Sequence, residues 1–410
     1  MVLEMRKMKD SGIEWIGEIP EGWELTKVKR IFDIGRGRVI SQQELTSVGY
    51  PVYSSQTKNN GCLGYISTYD FDKSQLTWTT DGVNAGTVFL REGKYNCTNV
   101  CGTLAPKNDT NDLRYLKYAL EYIAFYHKRA DINGFKIMNN EMAEIELLLP
   151  PLFEQQNIAN YLDFKCSQTQ SILEQSLFSI EEYKKLKQAV ITQAVTKTIY
   201  DDFGNPSKFR KLRSLCDVLS KGTTPKDIET QNDEFYCIRY LKSENIVSNQ
   251  LNLNPTFFIT AETNNSLERS KLNSGDILFV IAGASIGKVA ITTADFLPAN
   301  TNQAVAFIRL SSSYQYATKY IWYFLQSDVV KQLIALSAVQ SAQPNLSLED
   351  LGAMRLPLPD QMGCLKITDY LDAKCAEIDK LIAKKEQLVK ELESYKKSLI
   401  YEVVTGKREV

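Results

Sequence analysis

The chain has 410 residues and a mass of 46.5 kDa, with 43% hydrophobic and 24% charged residues and 48 basic against 49 acidic side chains. This is globular material for two or three domains, and it excludes wholesale disorder and collagen-like or mucin-like fibres. The one histidine, His127, excludes any site within a single chain that needs two, and leaves Ser-His-Asp chemistry that residue alone.

The N-terminus, MVLEMRKMKDSGIEW, has no apolar run fit for a signal peptide. No stretch approaches the roughly 18 uninterrupted apolar residues of a membrane span. Eight cysteines are spread thinly along the chain. These features predict a cytoplasmic protein with reduced thiols.

Residues 1–150 read as a mixed α/β globule, with strand-like runs QLTWTT and TVFLRE and an aromatic helix over 113–129 (LRYLKYALEYIAFYHKR). His127 closes that helix pattern, which predicts a structural or surface role for it. A proline-marked strand, EIELLLPPLFEQQ (144–156), leads into a long helix within 151–200. Its end is predicted near Thr198, before the turn-rich DDFGNPSKF (201–209). Residues 201–356 form a second globule with runs DILFVIAG, KVAITT and AVAFIRL and one aromatic helix over 316–336. A second proline-marked strand, AMRLPLPDQMGC (353–364), opens the last helix, within 357–410. Neither globule carries a basic block, so a nucleic-acid footprint would have to arise by folding or come from partners.

The chain repeats itself. Tyr161, Leu162, Asp163, Lys165 and Cys166 recur as Tyr370, Leu371, Asp372, Lys374 and Cys375, and Lys187, Ile191 and Val195 recur as Lys396, Ile400 and Val404, always 209 residues on. Leu162, Cys166, Thr169, Leu173, Ser176, Ile180, Tyr183, Lys187, Val190 and Ala194 step by four and three. Leu371, Cys375, Ile378, Ile382, Lys385, Val389, Leu392, Lys396, Leu399 and Val403 do the same. No Pro or Gly interrupts either seam. This is the heptad signature of a coiled coil. The globules share weaker landmarks. DGVNAG (81–86) parallels AGASIG (282–287), and Thr98-Asn99 parallels Thr301-Asn302.

The order globule, helix, globule, helix predicts antiparallel helices with the globules at opposite ends. At about 1.5 Å per residue, some 36 residues span roughly 54 Å. A duplex repeats about every 34 Å, so such a rod could hold two readers on one duplex face.

Catalytic motifs are missing. GASIGKVA (283–290) has only three residues between Gly283 and Gly287, and Val289 stands where a phosphate loop needs Ser or Thr. GRGR (35–38) lacks GxGxxG spacing. Cys97 and Cys101 have no second ligand pair for zinc. Neither a glycine-rich S-adenosylmethionine loop nor an Asn-Pro-Pro-Tyr type motif is present. The reading is a chain without its own active site.

The sequence resembles the specificity subunit of type I restriction-modification systems. The resemblance is carried by DSGIEWIGEIPEGWELTKVKRI (10–31), SKGTTPK (220–226), SGDILFVIAGASIGKVAI (274–291), TNQA (301–304), QPNLSLEDL (343–351), LPLPDQ (356–361) with YLD, and LIYEVVTGKRE (399–409). It implies an α+β fold: two mixed α/β target-recognition domains (1–150 and 201–356) separated by two long helices (151–200 and 357–410). These would form an antiparallel coiled coil with a pseudo-two-fold internal repeat. It implies that each globule reads half of a bipartite duplex DNA target and that the coiled coil fixes the spacer. Two methyltransferase (modification) subunits would dock around the helices, joined by motor-nuclease (restriction) subunits. No cofactor would bind this chain; S-adenosylmethionine, ATP and Mg²⁺ would serve the partners. The rival reading is a coiled-coil assembly adaptor without DNA readout.

Base-edge readout needs Arg, Lys, Asn, Gln or Thr on accessible loops. The candidates are Arg36, Arg38, Lys58, Asn59, Asn60 and Tyr65 in the first globule. In the second they are Lys221, Thr223, Thr224, Arg239, Lys242 and Asn245. Leu162, Leu173, Ile180, Val190, Leu371, Ile378, Ile382, Leu392 and Leu399 are assigned to the coiled-coil spacer and docking surface.

Overall fold

The computed structural model describes residues 6–132, 134–197, 208–226, 228–233, 235–338 and 345–410. The chain divides into two units, Met1–Ser176 with Gln387–Val410, and Leu177–Glu386.

The first unit is built on a four-stranded antiparallel sheet in the order Phe32–Arg36, Cys101–Pro106, Gln75–Thr79, Val88–Arg91. The central strand Gln75–Thr79 is buried along its whole length, as a strand covered on both faces must be. The Trp78 indole lies flat on Gly102, where a Cβ would come within 2.3 Å of the ring. A second sheet orders Asn96–Cys97, Tyr50–Tyr53 and Cys62–Ile66, with the first two strands parallel. The helix Leu113–His127 starts where the Asp112 carboxylate accepts from the Arg114 and Tyr115 amides, satisfying donors the first turn leaves free. It buries Tyr115, Leu116, Ala119, Leu120 and Ile123, one helical face, against the core.

The second unit repeats this order. Cys216–Lys221, Val305–Leu310, Ile277–Val280 and Val289–Ile291 form its antiparallel sheet. Phe258–Ile259, Ile238–Leu241 and Ala299–Thr301 form the smaller one, again with one parallel pair. Its aromatic helix departs from the prediction. It breaks into Thr318–Leu325 and Asp328–Ala338. At the break the long helix supplies partners: Gln188 Nε2 donates to the Gln326 carbonyl at 2.7 Å, and the Asp328 amide donates to Thr192 Oγ1 at 3.0 Å.

Two long helices follow the proline-marked strands, Leu152–Thr196 and Gln361–Val404. Thr198 and residues 201–207 of the turn-rich segment lie outside the described residues. In the second helix the Asp360 carboxylate caps the Gly363 amide at 2.8 Å. Every seam position read from the heptads is buried or half-buried. In the first unit Leu162 and Cys166 share a core with Leu399 and Val403, while further along Gln170 accepts from Lys396 at 3.4 Å. In the second, Ile191 and Val195 share a core with Leu371 and Cys375, and Lys187 meets Asp379 at 2.7 Å. Within each unit, therefore, the paired segments run antiparallel.

Each aromatic helix is tied to this framework in the same way. Tyr115 donates to the Leu148 carbonyl at 2.8 Å and Tyr320 to the Pro357 carbonyl at 2.6 Å. Tyr118 donates to Asp163 and Tyr323 to Asp372, both at 2.8 Å. Arg114 and Lys319 pair with the same two carboxylates. The Tyr-Leu-Asp repeat is thus the point where each domain is fastened to its helix. The loops 81–86 and 282–287 also coincide: the Gly86 amide donates to the Thr79 carbonyl and the Gly287 amide to the Val280 carbonyl, both at 2.9 Å. The Thr98/Thr301 parallel is corrected by one residue. The Arg38 amide donates to the Cys97 carbonyl and the Thr223 amide to the Thr301 carbonyl, so Cys97 and Thr301 are the equivalent pair.

Candidate nucleic-acid interface

A close backbone crossing anchors the candidates in each domain. A Cβ on Gly37 would fall 2.2 Å from the Cys97 carbonyl oxygen, and one on Gly222 would fall 1.8 Å from that of Thr301. Only glycine allows this approach. The crossing places Arg36 and Arg38 on either side of Gly37, and Lys221 and Thr223 on either side of Gly222.

In the first domain Arg36 is exposed and donates to the Asn99 carbonyl. Arg38 is committed to two carboxylates, Asp70 at 3.0 Å and Glu44 at 3.5 Å. Its charge is therefore partly neutralised within the protein. Lys58, Asn59 and Asn60 form an exposed single turn, Lys58–Gly61, in which Asn59 and Asn60 take φ of 50° and 52°. This turn adjoins the crossing: the Ser54 amide donates to the Gly61 carbonyl at 3.0 Å, and Thr98 Oγ1 donates to Ser54 Oγ at 3.1 Å. Tyr65 is 38% exposed on the neighbouring strand. Folding thus gathers residues 36–38 and 58–60 into one surface region.

In the second domain Lys221, Thr223 and Thr224 are exposed. Tyr240 donates to the Thr223 carbonyl at 2.8 Å and holds that stretch against the small sheet. Arg239 donates to the Asp295 carbonyl at 2.8 Å, and the Lys242 ammonium sits 3.5 Å from the Phe257 ring centroid. Asn245 is corrected. It is 1% exposed, and its amide is spent on the Lys242 amide and on the carbonyls of Asn252 and Pro255. It shapes a turn and has nothing left to offer a base edge.

The sequence reading passed over Lys94. Its ammonium lies 4.4 Å from the Tyr69 ring centroid, and Tyr69 packs edge-on against Tyr50 at 5.1 Å. Hydrogen bonding to the Tyr69 hydroxyl raises the Lys94 pKa. Three residues so far apart in the chain carry no local signal.

The AGASIG loop leads into the strand Val289–Ile291 rather than a helix, so it lacks the helix N-terminus of a phosphate loop. Among the described residues no group of three or more His, Cys, Asp or Glu side chains could hold a metal ion. No helix among them is long and apolar enough to cross a membrane. The first unit has a cleft of about 900 Å³ between the aromatic helix, residues 83–87 and the long-helix segments, lined by Lys117, Tyr126, Lys128, Lys396 and Lys397 among others.

The sequence matches the model of the type I restriction modification DNA specificity domain twice, over residues 20–182 and 205–391. A putative type I specificity subunit of Mycoplasma pneumoniae is 32% identical over 286 residues, covering 67% of this chain and 70% of the relative. The MjaVIII specificity subunit of Methanocaldococcus jannaschii is 24% identical over 433 residues, covering 99% of this chain and 98% of its own. The fold is similar to a solved chain of a type I R-M system, with a TM-score of 0.72, 13% identity and coverage of 95% of this chain and 99% of that one. It is also similar to the HsdS subunit of Thermoanaerobacter tengcongensis, with a TM-score of 0.51, 14% identity and coverage of 95% and 98%. Two matched domains, each fastened by the same tyrosine–aspartate bond to a long helix, make this chain a member of the type I restriction-modification DNA specificity family.

Proposed function

We propose that the two recognition domains read the two halves of an asymmetric bipartite duplex target and that the paired long helices set the spacer between them. The chain is a non-catalytic subunit. It directs adenine methylation and restriction by partners: two modification subunits around the helices and motor-nuclease subunits beyond them. S-adenosylmethionine, ATP and Mg²⁺ act on those partners, in the cytoplasm. The reader candidates are Arg36, Arg38, Lys58, Asn59, Asn60 and Tyr65 for one half, and Lys221, Thr223, Thr224, Arg239 and Lys242 for the other.

One observation carries this reading. A single framework is built twice, with the same sheet order and the same fastening to the helix, while the residues around the two glycine crossings differ. A scaffold copied with its loops changed suits two different half-sites. Its near-neutral charge fits a reader whose non-specific phosphate affinity comes partly from partners. Exposed apolar side chains on the long helices, Phe164, Ile172, Phe178, Leu186 and Leu365, support docking of the modification subunits there.

The test is a methylome map of cells carrying this chain with its cognate methyltransferase. Methylation at an asymmetric two-part site that disappears with deletion of the chain is the expected result. A methylome unaffected by the deletion would favour the adaptor reading.

A further inference from the structure

We infer that Arg91 is a positioning residue for the first recognition domain, the buried side chain that holds the turn Lys58–Gly61 in its presenting conformation. The inference rests on the reading of that turn as part of one half-site reader.

Arg91 ends the strand Val88–Arg91, opposite Gln75 in register, and is 2% exposed. Its guanidinium is stacked between rings, 3.5 Å from the Tyr53 centroid and 4.2 Å from that of Phe89. Nε donates to Thr77 Oγ1 at 3.1 Å, and Nη1 donates to the Asn60 carbonyl at 2.7 Å. No carboxylate pairs with it among the described residues. A buried guanidinium without a counter-charge is an unfavourable core residue, and its geometry points to what it does in exchange.

The turn needs holding. Asn59, Asn60 and Gly61 have φ of 50°, 52° and 80° in succession, a left-handed run that L side chains resist. Such a conformation persists only when its surroundings over-determine it. The turn's ends are closed by the Ser54 amide on the Gly61 carbonyl and by Gln56 on the Cys62 carbonyl. At its middle, Arg91 supplies the side-chain bond from beneath. Gly61 belongs to the same fit, because a Cβ there would lie 2.8 Å from Arg91 Nη2.

The second domain supplies an internal control. Thr292 exchanges backbone bonds with the Gly275–Asp276 strand end, where Arg91 faces Gln75, so the shared framework folds there with threonine in the place of Arg91. The guanidinium at that end comes from Arg309 on another strand and is paired with the Asp276 carboxylate. Arg91 therefore belongs to the first domain's reader and not to the scaffold common to both.

The experiment uses the full chain assembled with its methyltransferase on a DNA library randomised over the target, scoring methylation base by base. Arg91→Met should relax base preference at least tenfold at adjacent positions of one half-site, leaving the other half unchanged. Arg91→Lys, which keeps a donor for the Asn60 carbonyl, should retain part of it. Gly61→Ala, which crowds the guanidinium from the loop side, should relax the same half-site and covers the case in which Arg91→Met does not fold. Unchanged base preference in a folded Arg91→Met or in Gly61→Ala overturns the inference, as does uniform weakening across both halves. A parent chain with no sequence preference at all would instead remove the two-half-site reading, and this inference with it.

Discussion

The two recognition domains share a scaffold and differ in how they treat charge inside it. The first keeps Gln75 opposite Arg91 and uses the guanidinium to hold a surface turn. The second has a buried carboxylate at the equivalent strand end: Asp276 accepts from Arg309 at 2.7 and 2.9 Å and from the Asn273 amide at 2.7 Å. What remains the same lies next to the long helices, in the Tyr115/Tyr320 and Asp163/Asp372 bonds. The lesson is that duplication fixed the attachment and released the opposite face of the sheet, where Arg91 meets Tyr53 and Asn60, to diverge.

Removing the shared feature should hurt both domains most, and alike. Leu162 and Leu371 are fully buried at equivalent heptad positions. Leu162→Ala and Leu371→Ala should each cost about 2–5 kcal/mol through lost burial and the cavity left behind. Domain-resolved hydrogen exchange would read each loss in its own unit, the first for Leu162 and the second for Leu371. A loss confined to one of the two variants would break the equivalence.

The divergent feature should give a one-sided effect. Asp276→Asn removes the partner of a half-shielded arginine whose pKa the carboxylate raises. Because Arg309 retains 26% side-chain exposure, the cost should fall at the lower end for buried pairs, roughly 3 kcal/mol. It should appear in the second unit alone. Equal loss of protection in both units would mean that the sheets are more alike than their side chains indicate.

The attachment was legible in the sequence because it is periodic. The uniform repeat of Tyr161-Leu162-Asp163 at Tyr370-Leu371-Asp372 and the heptad steps mark the helices, and prolines mark where they begin. The divergent features were not legible, because their meaning lies in register. Asn245 looks like a loop amide until the turn closes around it. Arg91 is one arginine in a strand pattern, and nothing local says that Asn60 lies above it. The break after Leu325 likewise depends on Gln188 and Thr192 from another helix. The reader candidates Arg36, Lys58, Asn59 and Lys221 were found on chemistry alone. Within the first domain the close approach of Gly37 to the Cys97 carbonyl brings Arg36 near the Lys58–Gly61 turn, and within the second the approach of Gly222 to the Thr301 carbonyl places Lys221 and Thr223 on either side of it.

The smallest expected difference is in pH response, and it isolates one residue. His127 closes the helix Leu113–His127 in the first unit, and the chain has no other histidine. Partial burial lowers its pKa from the ordinary 6.5, with the Glu146 carboxylate opposing. The neutral imidazole is then the form that folding favours, and between the folded value and 6.5 the unfolded chain binds more proton. The stability of the first unit should accordingly rise as pH increases through that window and level off above it. The residue keeps substantial exposure to solvent, so solvent screening keeps the slope shallow. Hydrogen exchange across pH 5–7, compared with His127→Gln, reads it directly. The slope should vanish in the variant, whereas the second unit, with no imidazole, should show none of it in either protein. A slope that survives the substitution would assign it to the carboxylates and remove this last asymmetry between the domains.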